Sequence, residues 1–270
     1  MSKIVIINAD DLGLNHSRNM AILEGYNSGV LKSASLMVNG EEFNEAVDII
    51  KRCPNLSVGV HLNIIEGQSL TNASALTNKQ GLFNKGFIGI LLRSRAKGFL
   101  EAVEVEFRAQ IERARSVCRI DHLDSHVHTH AITPIFKIAV KLANEYKISF
   151  IRTQYEKPYI VPCIGKIFTL KYPINIVKIA LLNLFTKINL KHIVKPLRSN
   201  DSVIGVGYTG MMDFDAIKYG VRAANDGIIE AIIHPNLNSS EHSAVINAAL
   251  KELFVISNYA RLNRENDQQS

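Results

Sequence analysis

Short apolar runs alternate along the chain with longer segments whose apolar positions recur every three or four residues. The first pattern predicts buried strands, the second amphipathic helices. Residues 3–8 predict a strand that begins almost at the N-terminus. Asn15 or Ser17 is placed to cap a helix running to about Asn27 and stopped by Gly29. Strands are predicted at 34–38 and 57–62, with a helix over 42–52 between them and a turn at Pro54 and Asn55. An irregular stretch over 67–98, rich in Gly, Asn, Ser and Thr, interrupts the alternation. Beyond it come a helix over 100–117, a strand over 120–125, a helix over 134–146 and a strand over 149–152. A strand at 202–206, a helix from about Asp213, a strand at 228–233 and a last helix from about Ser243 complete the pattern. The polar tail, 265–270, is expected to fray.

A β-α unit repeated about seven times predicts an α/β fold. Its parallel sheet is either closed as a (β/α) barrel or open and doubly wound. Both architectures hold their chemistry beyond the C-terminal ends of the strands. Reactive residues should therefore follow the apolar runs. No linker divides the chain, so one domain is expected over 1–264, with a long loop at about 66–98.

Composition narrows the class. Hydrophobic residues are 47% and charged residues 21% of the 270, as in a folded globular protein rather than a disordered one. The net charge of +6 is only mildly basic. Cys53, Cys118 and Cys163 are far apart and form no Cys-x-x-Cys pair, which favours reduced thiols. With no signal-peptide pattern and no spanning apolar run, a cytoplasmic location is expected.

One stretch departs from the average. Between Lys157 and Arg198 there is no Asp or Glu, while Lys166, Lys171, Lys178, Lys187, Lys191 and Lys195 sit among Ile, Leu, Phe and Val. Within this basic apolar segment, about 155–200, residues 174–190 predict a helix. A helix packed on the sheet with its lysines reaching outward is the favoured reading. Peripheral contact with a membrane or glycolipid, or with a partner, is the alternative. Nucleic acid is not expected, because no binding module or aromatic platform accompanies the lysines.

Candidate chemistry sits at the strand ends. The first run ends in Asn8-Ala9-Asp10-Asp11, adjacent carboxylates that need a metal, an arginine or a shared proton unless they merely open a helix. The third ends in His61, followed closely by Asn63. The fourth ends in His122-Leu123-Asp124-Ser125-His126-Val127-His128-Thr129-His130. If the chain stays extended, its even-numbered residues share one face. Imidazoles with nearby carboxylates are a usual setting for divalent transition metals. Arg152 ends the fifth strand and could pair with Asp10 or Asp11; His234-Pro235 ends the last. Asp or His at four strand ends predicts a single pocket holding a metal, a base and an acid.

Taken together, these motifs resemble the YdjC/ChbG (HpnK-like) carbohydrate deacetylases. The residues that carry the resemblance are Asn8 to Gly13, Gly29 to Asn39, Gly59-Val60-His61-Leu62-Asn63, His122 to His128, and His234-Pro235. Asn236 follows, where many relatives carry glycine. The resemblance implies a distorted (β/α) barrel of about seven parallel strands and one divalent ion, Mg2+ or Zn2+. It implies Asp11, His61 and His126 as ligands, Asp10 as general base, His234 as general acid and Arg152 orienting Asp10. His128, His130 and Asn63 are candidates for substrate contact. The implied reaction removes an N-acetyl group from an acetylated amino sugar, oligosaccharide or glycolipid glycan. A metal-dependent phosphoesterase or other amidohydrolase, and a non-catalytic glycan-binding barrel, are the rival readings. A homodimer is the default assembly.

Overall fold

A computed structural model describes residues 3–162 and 171–267. Cys163 and Lys166 of the sequence reading lie outside the described residues. In chain order the first elements are β1 (Lys3–Leu12), α1 (His16–Asn27), β2 (Ser33–Leu36), α2 (Phe43–Arg52), β3 (Ser57–Leu62), α3 (Phe87–Arg93), α4 (Lys97–Arg115) and β4 (His122–Ser125). A 3-10 segment (His126–Ala131) and α5 (Thr133–Glu145) follow, then α6 (Lys171–Asn189) and β5 (Ser202–Ile204). The chain closes with α7 (Phe214–Ala223), β6 (Gly227–Ile233), α8 (Ser240–Val245), α9 (Ala249–Leu253), β7 (Ile256–Ser257) and α10 (Tyr259–Asp267).

The strands lie in the order β4-β3-β2-β1-β6-β5, with β7 on β1, and every strand pair is parallel. Strands β2, β3 and β4 are buried throughout, as expected of parallel strands covered on both faces. The predicted strand over 149–152 is an extended segment rather than a continuous ladder. Leu123 N–H bonds to Phe150 C=O and Arg152 N–H to Leu123 C=O, while Ile151 N–H bonds to Arg198 C=O and Val203 N–H to Tyr155 C=O. These bonds carry the sheet from β4 round towards β5 and curl it into a distorted (β/α) barrel.

Local chemistry explains most boundaries. Asn15 caps α1 by accepting from Arg18 N–H, and the helix ends before Gly29 at φ +76°. Asp213 caps α7, and Pro134 lies in the first turn of α5. The predicted last helix is instead two short helices, a two-residue strand and α10. Ser239 caps α8 well ahead of the expected start, and Ile256 and Ser257 add to β1. Helix α10 runs to Asp267, past the predicted onset of fraying. The long loop also has structure of its own: α3, and a turn held by Glu106, whose carboxylate accepts from Ser69 Oγ, Thr71 Oγ1 and the N–H groups of Leu70 and Thr71. Among the described residues, no helix is long and apolar enough to cross a membrane.

Candidate metal centre

Successive side chains on a regular strand point to opposite faces, so Asp10 and Asp11 should diverge. They do not, because the register of β1 against β2 shifts between Ala9 and Leu12 and Asp11 has φ +67°. That left-handed conformation is costly outside glycine and is typical of a constrained site. Both carboxylates thereby reach one histidine: His61 Nδ1 is 3.9 Å from Asp10 Oδ2, and its Nε2 is 3.3 Å from Asp11 Oδ1.

His61 comes from the buried end of β3. Its Nδ1 donates to Asp124 Oδ1 at 2.7 Å, from β4, which fixes the ring. Its Nε2 is buried and makes no hydrogen bond. Burial opposes a charge on this ring, but Asp10 and Asp124 outweigh it and raise His61 to about 10. His126 closes the group. Its Nδ1 lies 3.0 Å from Asp11 Oδ1 and its Nε2 3.1 Å from Glu66 Oε1. Burial raises the Asp11 carboxyl, yet the hydrogen bond to His126 and the charge of the neighbouring His61 more than reverse this and hold it well below the ordinary value. Asp11, His61 and His126 thus offer three ligand atoms within one small volume.

A second triad of Asp10, His61 and Asp124 is equally compact but already compensated. Arg152, fully buried, donates Nη1 to Asp10 Oδ2 and Nη2 to Asp10 Oδ1, both at 2.8 Å. Its Nη2 also lies 2.6 Å from Asp124 Oδ2 and from Glu230 Oε1. A second cation beside that guanidinium would be repelled. The Asp11 group, with its unsatisfied Nε2, fits a divalent ion better.

Asp10 is further fixed by Asn8 Nδ2 at 2.8 Å from Oδ1, leaving Oδ2 to face His61 and, at 4.0 Å, His234 Nε2. His234 is partly exposed. Its N–H donates to Glu241 Oε2 at 2.5 Å, so α8 positions the loop that carries it.

The even-numbered face expected after β4 does not form. The strand stops at Ser125, and Val127 and His128 take φ +51° and +56°. His130 is fully buried with both ring nitrogens engaged, by Ser125 Oγ and Arg152 C=O. It offers a substrate nothing, which corrects its candidacy. Asn63 is corrected likewise. Its amide donates to Asn39 Oδ1 and Glu66 C=O and accepts from the N–H groups of Ile65 and Glu66, shaping the turn after β3. His128 is nearly buried, and its Nδ1 has no partner. Burial first, and then Lys178, push this ring well below the ordinary histidine value.

Glu66, Arg18, Glu230 and Glu241 escaped the sequence reading. Glu230 carried a signal, being a lone charge inside the apolar run of β6 that required a buried partner. Of the other three, Glu66 meets His126 from a distant part of the chain, while Arg18 and Glu241 each reach a site residue seven positions away without a periodic signature. Arg18 Nη2, for instance, lies 3.6 Å from Asp11 Oδ2.

The family model described as YdjC-like protein matches residues 4–268. The chain belongs to this family. Curated relatives include a carbohydrate deacetylase of Brevibacillus brevis, 38% identical over 53% of this chain and 57% of that protein. A chitooligosaccharide deacetylase of Proteus mirabilis is 33% identical over 54% and 57%. The chain thus spans little more than half the length of these two relatives. A carbohydrate deacetylase of Geobacillus stearothermophilus is 31% identical over 70% of this chain and 75% of that protein. The fold is shared with a crystal structure from Enterococcus faecalis V583, provisionally described as a cellobiose-phosphate cleavage protein. The TM-score is 0.72 at 21% identity, covering 97% of this chain and 99% of that one.

Proposed function

We propose that this YdjC-like protein hydrolyses the N-acetyl group of an acetylated amino sugar or oligosaccharide, with a divalent ion held by Asp11, His61 and His126. One observation carries the reading. His61 Nε2 is a buried ring nitrogen without a hydrogen bond, held beside Asp11 by the Asp124 carboxylate on the opposite nitrogen. This is the usual support of a metal-ligating histidine. An ion there supplies Lewis acidity toward an amide carbonyl and a nearby water.

The remaining steps belong to the protein. Asp10, oriented by Arg152 and Asn8, takes the proton of the attacking water at Oδ2. His234, across the same space, delivers a proton to the departing amine, which leaves poorly as an anion. The products are acetate and a free amino sugar. His128, whose buried Nδ1 has no partner, is retained as a substrate contact.

The test is acetate release from acetylated chitobiose and a panel of acetylated amino sugars, with and without chelator. Release that stops with chelator and resumes on adding Mg2+ or Zn2+ is expected. A folded, metal-loaded protein that releases no acetate but cleaves a phosphoester would overturn the reading.

A further inference from the structure

Helix α6 is apolar on two sides. Ile179, Leu182, Thr186 and Asn189 face inward and are buried. On the far side Ile174, Val177, Leu181, Leu184 and Ile188 recur at alternating spacings of three and four residues. Val177 is 71% exposed and Leu184 55%. Leu190 (50%) and Val194 (67%) continue the strip past the helix end. At about 1.5 Å per residue the helical part alone is roughly 21 Å long. Single exposed apolar residues are ordinary on a surface, whereas a continuous stripe of this kind marks a contact.

Charge identifies the occupant. Lys187, Lys191 and Lys195 are exposed beside the stripe, and no Asp or Glu occurs from Lys157 to Asn200. A second copy of the chain would bring the same lysines and no carboxylate from this segment to face them. An anionic bilayer supplies both an apolar interior and negative headgroups. A depression of about 550 Å³ runs along the flank of the helix next to this face, with Tyr155, Leu184 and Leu190 in its walls and Lys187 among its lining residues. Asp201 also lines it, but its carboxylate accepts from Ile228 N–H. At its other end α6 adjoins the barrel mouth, where Asn175 donates to Gly207 C=O just beyond β5.

We propose that the outer face of α6, with the Lys187–Lys195 turn, docks on an anionic lipid surface. The helix lies along the interface rather than crossing it. This stands independently of the deacetylase reading, because the face contains none of the residues of the metal centre.

Co-sedimentation tests it, using vesicles of phosphatidylcholine with or without phosphatidylglycerol. The wild-type protein should pellet with the anionic vesicles and stay in solution with the neutral ones. The double variant Lys187→Glu/Lys191→Glu should lower the partition coefficient on the order of 30-fold. Val177→Ser/Leu184→Ser should lower it at least ~10-fold. Unchanged unfolding midpoints and unchanged acetate release from a soluble sugar would show that both variants are intact. Wild-type protein left in solution with anionic vesicles overturns the proposal, and so does binding that survives both variants. A wild-type dimer that Val177→Ser/Leu184→Ser dissociates, without vesicle binding, assigns the face to a second copy and overturns it as well.

Discussion

Each histidine of the proposed metal centre has a supporting carboxylate, Asp124 on His61 Nδ1 and Glu66 on His126 Nε2. Such support orients the ring and strengthens it as a donor, and its loss commonly costs 10- to 100-fold in metal affinity. Glu66→Gln should therefore weaken Zn2+ or Mg2+ binding about 10-fold, read by calorimetric titration. An unchanged affinity would mean that Glu66 only neighbours His126. Asp10 is bound by Arg152 and Asn8 rather than facing the proposed ion, so Asp10→Asn separates binding from chemistry. Metal affinity should persist while turnover falls by roughly 10²–10⁴-fold, the usual contribution of a general base. Asp11→Ala should instead abolish metal binding.

The extended segment after Arg152 is tied to the end of β5 by Glu156, whose carboxylate accepts from the N–H groups of Val206 (2.8 Å) and Gly207 (3.1 Å). Burial is the main cause that raises this carboxyl from its ordinary 4.5 to about 7, against the backbone hydrogen bonds and the nearby Lys178. A carboxyl raised on folding contributes stability that is complete below its unfolded value of 4.5 and is lost as pH rises through about 7. Glu156→Gln does not titrate. It gives up one acceptor at every pH, so the slope with pH is the informative quantity. From about pH 5 to about pH 8 the difference in unfolding free energy should move in the variant's favour by on the order of 2–3 kcal/mol. Urea denaturation at each pH reads it, and a difference that stays flat would show that Glu156 titrates normally in the fold.

The proposed ion would join the ends of β1 and β3 to the segment after β4, the outermost two, Asp11 and His126, being 115 positions apart in the chain. A ligand that binds only the folded state stabilises it by mass action, by about 2.7 kcal/mol at a hundred times Kd. For a chain of this size that corresponds to an unfolding midpoint raised by roughly 5–10 °C. The rise should appear on adding Zn2+ or Mg2+, vanish with chelator, and be absent in Asp11→Ala. A wild-type midpoint indifferent to these ions would remove the metal centre.

The β-α alternation, the parallel sheet and the strand-end residues Asp10, Asp11, His61, Arg152 and His234 were legible in the sequence. Burial of a strand and the spacing of a helix leave periodic marks that need no tertiary information. The tertiary structure alone determined how those residues face one another. The bulge at Asp11 turns two adjacent carboxylates to one side, and the left-handed backbone at Val127 and His128 breaks the alternation that would have aligned the histidines. Strand periodicity assumes a regular backbone, and the chain departs from regularity where the site is built. Glu66 meets His126 across a long chain separation, Arg18 reaches back over the turn to Asp11, and His130 and Asn63 proved to be committed to the scaffold. A side chain's type and position do not reveal which partners the fold will bring to it.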